Sequence, residues 1–346
     1  MEAVQLTQFS HGGGCGCKIA PAVLSELMAR VPAGLVPPEL LVGTETADDA
    51  AVYRLNDDQA LVATTDFFTP IVDDPYDFGR IAATNALSDV FAMGGRPILA
   101  LALVGMPLDK LPGEVIGRIL EGGATVCRNA GIPIAGGHSI DVLEPIYGLV
   151  GLGLVHPRQV KRNASARPGD CLILTKPLGI GILSAALKKG VLSAEGYAEM
   201  IKWTTTLNTA GTPLAAIDGV HAMTDVTGFG LAGHLLEICR GSALLARVAV
   251  EMVPVIAEAA RHLRAGVATG ASGRNWASYG GAVCLAADLP AETQKLVTDP
   301  QTSGGLLIAC APESVAAVQD SIEAAQGDRG VVIGRLEEGP PQIHFS

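Results

Sequence analysis

Charge and aromatic rings are both scarce in this chain, at 17% and 4% of its 346 residues. Its hydrophobic 49% therefore comes largely from Ala, Val, Leu and Ile. Basic residues are the scarcer sign: 24 Lys and Arg against 35 Asp and Glu leave a formal charge of −11. That balance disfavours non-specific binding to nucleic acid or to a membrane surface. No apolar run reaches membrane-spanning length; the best, Pro97 to Leu108, is too short. The start, Met1-Glu-Ala-Val-Gln, has neither the basic residues nor the apolar block of a secretory signal. The cysteines number seven, an odd count without a disulfide framework, so a reduced, cytoplasmic protein is expected. No Gly-Lys dipeptide occurs, so the P-loop signature is missing, and any use of ATP must go through another fold.

What is present is glycine, 42 residues of it, and a length comfortable for two domains. Residues 1–40 read as a flexible N-terminal segment with one helix near Ala20 to Arg30. Residues 41–155 alternate short apolar strands with helices over Tyr76 to Met93 and Leu111 to Ala130, each closed by glycine. The polar, basic, twice-proline stretch 156–169 reads as a linker. Residues 170–346 resume the mixture, with a helix expected from Glu195 to Ile217 and strands at Val220 to Thr224 and Leu306 to Ala309. Two α/β halves in an α+β arrangement follow.

Two features carry chemistry. The first is His11-Gly-Gly-Gly-Cys15-Gly-Cys17-Lys18, too glycine-rich for a core element. Lys18 favours thiolate over thiol, which makes the cysteines candidate nucleophiles. A bland tail, or a metal site on His11, Cys15 and Cys17, are the alternatives, and the spacing fits no common zinc framework. The second feature is four carboxylates: Asp49 in a loop, Asp66 after a strand, Asp89 on a helix face shared with Asn85, and Asp225 ahead of a glycine turn. A carboxylate on a partly apolar face is costly unless it is paired or binds a metal, and Mg²⁺ takes carboxylate and phosphate oxygens together. Caps and turns remain the alternative at Asp49, Asp66 and Asp225, and a backbone-satisfied carboxylate at Asp89.

Phosphate could also meet Gly136-Gly137-His138-Ser139, read as a loop after the strand Ile132 to Ala135 whose N–H groups form an anion nest or a plain turn. Gly228-Phe-Gly230-Leu-Ala-Gly233 matches a dinucleotide fingerprint, but Asp225 stands where pyrophosphate would lie.

The motif blocks Ser10-His-Gly-Gly-Gly-Cys-Gly-Cys-Lys18, Asp48-Asp-Ala-Ala-Val-Tyr53, Thr64-Thr-Asp-Phe-Phe68, Ala83 to Gly95, Ala135-Gly-Gly-His-Ser-Ile140, Leu174 to Gly181, Met223 to Gly230 and Asp299 to Gly305 run in order along the chain. Together they resemble the selenophosphate synthetases (selenide, water dikinases), and the Cys-Gly-Cys-Lys loop is the most specific of them.

The resemblance implies two α/β domains of the aminoimidazole ribonucleotide synthetase-like fold, with N-terminal sheets pairing into a dimeric barrel. It implies ATP and selenide as substrates, Mg²⁺ as cofactor, selenophosphate, phosphate and AMP as products, and an ATP- and metal-binding role for residues 41–155. By motif, Cys15 is the active-site cysteine and Lys18 the catalytic lysine. Asp49, Asp89 and Asp225 are metal ligands, and Asp66 lies against ATP or a metal. Thr46, Ala47, Asp48, Gly137, His138 and Ser139 fall where the family contacts nucleotide. A homodimer and a selenium-delivery protein are the expected macromolecular partners, with no nucleic acid and no membrane. The runners-up are a small-molecule kinase or synthetase of the same fold and a non-catalytic selenium carrier.

Overall fold

A computed structural model of the chain describes residues 4–10, 12–19, 21–31, 34–44 and 48–346. His11, Thr46 and Ala47 therefore lie outside the described residues. The chain begins with α1 (Pro21–Met28), β1 (Leu40–Val42), β2 (Ala51–Arg54) and β3 (Ala60–Phe68). α2 (Pro75–Ala92), β4 (Arg96–Met106), α3 (Gly113–Asn129), β5 (Ile134–Asp141) and β6 (Ile146–Val155) complete the first half. These strands form one sheet in the order β1-β2-β3-β6-β4-β5, antiparallel except for β4 with β5.

The second half runs β7 (Cys171–Leu174), α4 (Ile180–Lys188), α5 (Ala194–Thr204), α6 (Gly211–Leu214), β8 (Val220–Asp225), α7 (Gly230–Ser242) and β9 (Leu244–Val248). It continues through α8 (Ala257–Arg264), α9 (Gly270–Tyr279), β10 (Val283–Leu285), α10 (Thr293–Val297), β11 (Leu306–Cys310), α11 (Val315–Gln326), β12 (Val331–Glu338) and β13 (Gln342–Phe345). Its sheet has the order β10-β13-β9-β12-β7-β11-β8. Two mixed α/β halves, as expected, each build a sheet.

α2 is the element that joins them. Asp74 caps it by accepting from Asp77 N at 2.8 Å, Pro75 occupies its first turn, and Gly94, at φ +78°, follows its end. Nearly every residue from Phe78 to Ala92 is buried. α2 packs on β3, β6 and α3 on one side and on β8, α5 and α6 of the second half on the other. A helix enclosed all round needs small side chains, which accounts for Ala82, Ala83, Ala86 and Ala92. Polar groups on it are therefore interior, and they sit between the two sheets.

Two expected elements differ. The single helix from Glu195 to Ile217 is α5 and α6, separated by residues 205–210. Thr204, Thr205 and Thr206 each turn a hydroxyl back to a carbonyl four residues earlier, and Asn208 is drawn inward to Ser88 Oγ at 2.8 Å. Gly136 to Ser139 form no loop but lie within β5. Gly137 (φ +155°) runs so close to β4 that a Cβ there would stand 2.1 Å from the Ala102 carbonyl oxygen. The glycine pair permits strand pairing at a register shift, which removes the anion nest as a reading.

Candidate active site

Two elements and one loop aim carboxylates at one point between the halves. Asp225 ends β8, Asp89 projects from α2, and Asp49 lies in the loop before β2. One oxygen from each lies within 4.8 Å of the other two. Hydroxyls back them: Thr224 Oγ1 donates to Asp49 Oδ1 at 2.8 Å, Thr64 Oγ1 to Asp89 Oδ2, and Ser88 bonds Asp225. Ser88 is itself held by Asn208 at 2.8 Å. Asp49 Oδ2 and Asp225 Oδ2 are buried and have no hydrogen-bond partner among the described residues. Burial first, and mutual repulsion next, push the Asp49 and Asp89 carboxyls well above their ordinary range; burial chiefly raises Asp225. An all-oxygen donor set with free, inward lone pairs and unrelieved negative charge fits a hard divalent cation such as Mg²⁺.

Beside the cluster lies a continuous hydrogen-bonded chain. Cys15 Sγ donates to Asn85 Oδ1 at 3.2 Å, Asn85 Nδ2 donates to Asp66 Oδ2 at 2.7 Å, and Lys18 Nζ donates to the same Asp66 oxygen at 3.2 Å. Asn85, on α2, is fully buried and one helical turn before Asp89. Its Oδ1 also accepts from Ser303 N at 2.7 Å. Ser303 adopts φ +51°, an unfavourable conformation for a non-glycine residue, and is held by its hydroxyl to Ile81 O and by Lys176. Lys176 Nζ donates to Ser303 O at 2.9 Å and Thr206 O at 2.6 Å; burial pushes its pKa down to about 7, with Asp225 opposing.

The cysteine loop is packed, not loose. Gly14–Cys17 form a 3₁₀ turn; Gly14 N donates to Thr69 O at 2.8 Å and Cys15 N to Thr302 Oγ1 at 3.2 Å. Gly14 has φ +56°, and a Cβ there would stand 2.3 Å from Ile71 Cγ2. Only glycine lets the turn enter between the halves. Cys15 is 1% exposed.

The expectation that Lys18 activates Cys15 is corrected here. Burial, and then the Asp66 charge, push the Cys15 thiol up, and Lys18 only partly offsets them. With an amide oxygen as its partner, Cys15 rests as a thiol. Lys18 keeps 37% of its side chain open to solvent while its ammonium points inward. Desolvation lowers its pKa, but the carboxylates, Asp66 first and then Asp89 and Asp225, outweigh this and hold it well above the ordinary value.

Of the residues singled out by sequence, Cys15, Lys18, Asp49, Asp66, Asp89 and Asp225 converge. Asp48 accepts from Asn163 N at 2.7 Å and ties its loop to the segment between the halves. Gly137, His138 and Ser139 do not join them within one chain: β5 is the sheet edge, three strands or about 14 Å from β3. His138 shares a row with Leu103, Gly148 and Phe67, on the face opposite to Asp66. Asn85 as hub, Ser88, Thr64, Thr224, Ser303 and Lys176 were not legible as site residues. The one local signal was hydroxyls beside the aspartates, in Ser88-Asp89 and Thr224-Asp225.

Residues 47–155 match the AIR synthase related protein N-terminal domain, and residues 167–345 match its C-terminal domain. The chain thus has the architecture of the AIR synthase related proteins. Solved structures agree: thiamine-monophosphate kinase from Stenotrophomonas maltophilia K279a (TM-score 0.65, 21% identical) covers 94% of this chain and 96% of its own. Hydrogenase maturation protein HypE in complex with ATP (TM-score 0.65, 20% identical) covers 99% and 94%. Those likenesses concern the fold. A selenide, water dikinase of Burkholderia orbicola (strain MC0-3) is 64% identical over 98% of this chain and 96% of its own length. Those of Dechloromonas aromatica (strain RCB) and Rhizobium meliloti (strain 1021) are 62% and 55% identical, each over 99% of this chain and 98% of their own. The chain belongs to the selenide, water dikinase family.

Proposed function

We propose that this enzyme converts ATP, hydroselenide and water to selenophosphate, AMP and phosphate, with Asp49, Asp89 and Asp225 as Mg²⁺ ligands and Cys15 and Lys18 as catalytic residues. The observation that carries the site assignment is the junction of two systems. A carboxylate cluster suited to Mg²⁺ adjoins a chain of bonds that runs from Cys15 through Asn85 and Asp66 to Lys18, with Asn85 one helical turn before Asp89 on α2. Bound there, Mg²⁺ supplies charge neutralisation and alignment of the phosphates.

The chain's own groups do the rest. Lys18 places a permanent cation where an anionic selenium species or a departing phosphoryl oxygen needs it. Hydroselenide is already anionic near neutral pH, so Cys15 positions selenium and need not act as a strong base. The packed glycine turn excludes water from the selenium side, and Asn85 holds the Cys15 proton until substrate displaces it.

The open face of the N-terminal sheet supports a homodimer. It carries Phe67 (49% exposed) and Ile140 (52% exposed) beside a shallow groove of about 180 Å³. A nucleotide role for Gly137, His138 and Ser139 would then belong to the assembly of two copies and not to one chain. The seven cysteines are all unpaired, in keeping with a cytoplasmic setting. Among the described residues no helix is long and apolar enough to cross a membrane.

The test is anaerobic incubation with ATP, Mg²⁺ and hydroselenide, followed by phosphorus NMR. A P–Se species with one AMP per turnover is expected. ADP as final product would instead indicate a simple kinase of this fold, and selenide binding without turnover a carrier.

A further inference from the structure

The loop has a second side. Cys15 and Lys18 face the carboxylates, whereas Cys17 faces a cavity of about 680 Å³ between the loop, α1, α4 and α9. Among the described residues its lining includes Lys18, Lys188, Lys189 and Arg274 and no carboxylate, in a chain of net charge −11. Lys188 and Arg274 also grip the loop, donating to Ser10 O at 3.3 Å and Gly16 O at 2.9 Å. Cys17 Sγ bonds a hydroxyl, Thr69 Oγ1, at 3.0 Å. The remaining walls are largely apolar, among them Ile71, Ile180 and Ala271. A hydroselenide anion would occupy a small fraction of this space; volumes of this size take organic ligands.

We propose that this cavity binds a low-molecular-weight anionic thiol carrying selenium as a perselenide, R–S–Se⁻, and that Cys17 releases the selenium. The inference rests on the reading above, which supplies the consumer of the product. In the step, Cys17 sulfur attacks the carrier sulfur. The S–Se bond breaks, a Cys17–S–S–R bond forms, and selenium leaves with the bonding pair and the Cys17 proton as HSe⁻. Selenium is reduced and the two sulfurs are oxidised. A second molecule of the free thiol then restores Cys17 and departs as R–S–S–R. The acceptor is generated two residues from Cys15, on the same 3₁₀ turn. Burial, and then the Glu144 charge, raise the Cys17 pKa, while the bond with Thr69 and the Arg274 and Lys188 cations partly oppose them, so the thiol brings its own proton to the step.

The experiment uses the full chain with ATP and Mg²⁺ and one equivalent of glutathione perselenide, without free thiol. Its readouts are P–Se formation and the intact mass of the protein. Wild type is expected to gain one glutathione on Cys17. Cys17→Ser should form no adduct and at least tenfold less selenophosphate from the perselenide, yet match wild type on free hydroselenide. Lys189→Glu, which touches no loop carbonyl, and Ser184→Phe, which fills the cavity, should slow adduct formation at least tenfold. Equal use of perselenide by Cys17→Ser, an adduct on another cysteine, or undiminished rates in both cavity variants would overturn the proposal. So would an equal loss on free hydroselenide, because that marks a displaced loop. Wild type that makes no P–Se from hydroselenide refutes the reaction itself, while the adduct still reports on the cavity.

Discussion

Replacing Asp49 by Asn should stabilise the metal-free protein and abolish its response to Mg²⁺. Two ionised carboxylates at 4.8 Å, the outer limit of the cluster, repel by about 3.5 kcal/mol at an effective dielectric of about 20. Asp49 takes part in two such pairs, which gives about 7 kcal/mol if all three carboxylates were ionised at that spacing. The cluster escapes most of this by retaining protons, because burial first and repulsion next raise its carboxyls. A gain of about 1–3 kcal/mol is therefore expected, or about 2–6 °C in Tm. Asparagine keeps the bond from Thr224 through Oδ1, and its amide replaces the partnerless Oδ2, so little else changes.

The sign with pH follows from the raised values. Between the ordinary carboxylate value and the raised one, the native state binds more protons than the unfolded state. Stability therefore falls as pH climbs from about 4 through that window. Metal-free wild type should lose stability toward pH 8, the variant less so, and the difference should close near pH 4. Mg²⁺ should raise the wild-type Tm at pH 8 and leave that of the variant nearly unmoved. Scanning calorimetry in chelated and Mg²⁺-containing buffers at both pH values tests this. A variant less stable than wild type without metal at pH 8, with an intact Mg²⁺ response, would refute the cluster as a cation site.

Three further outcomes are expected. Cys15→Ser should retain ATP binding by calorimetry and lose selenide-dependent AMP formation; full turnover would remove Cys15 from the reaction. Asn85→Ala leaves Asp66, Cys15 and Ser303 N short of a buried partner and should cost about 2–4 kcal/mol in urea melts, with faster alkylation of Cys15; a loss under about 0.5 kcal/mol would show that Asn85 is no hub. Gly14→Ala, which forces a Cβ against Ile71 and Thr302, should lower kcat for selenophosphate at least tenfold with ATP binding intact, and an unaffected kcat would show that the turn need not enter the cleft.

Many of the site's groups are legible in the order of residues alone. Asp89 is costly on an apolar helix face whatever the fold, and a glycine run bearing two thiols and a lysine has no role in a core, so both stand out locally. The state of those groups is not legible in the same way. Lys18 beside Cys15 in sequence argues for a thiolate, but its ammonium is spent on Asp66, and burial with an amide acceptor keeps Cys15 protonated. Gly136-Gly137 reads as a turn because glycine is common in turns; only the approach of β4 shows that it serves a strand. α9, with Gly270, Ser272, Gly273 and Asn275, has no apolar period to reveal a helix, and packing against α1, α7 and α10 supplies it.

By itself, the sequence settled which chemical groups this protein commands: thiols on a glycine arm, hydroxyl-flanked aspartates, no P-loop. Those choices follow from residue type and short spacing, which act over a few bonds. The tertiary structure alone decided which of them meet. α2, enclosed by both halves, sets Asn85 and Asp89 among groups from positions as distant as 15, 49, 225 and 303. Burial there shifts the charge state of each, because a proton's energy depends on the surroundings that the fold assembles around it.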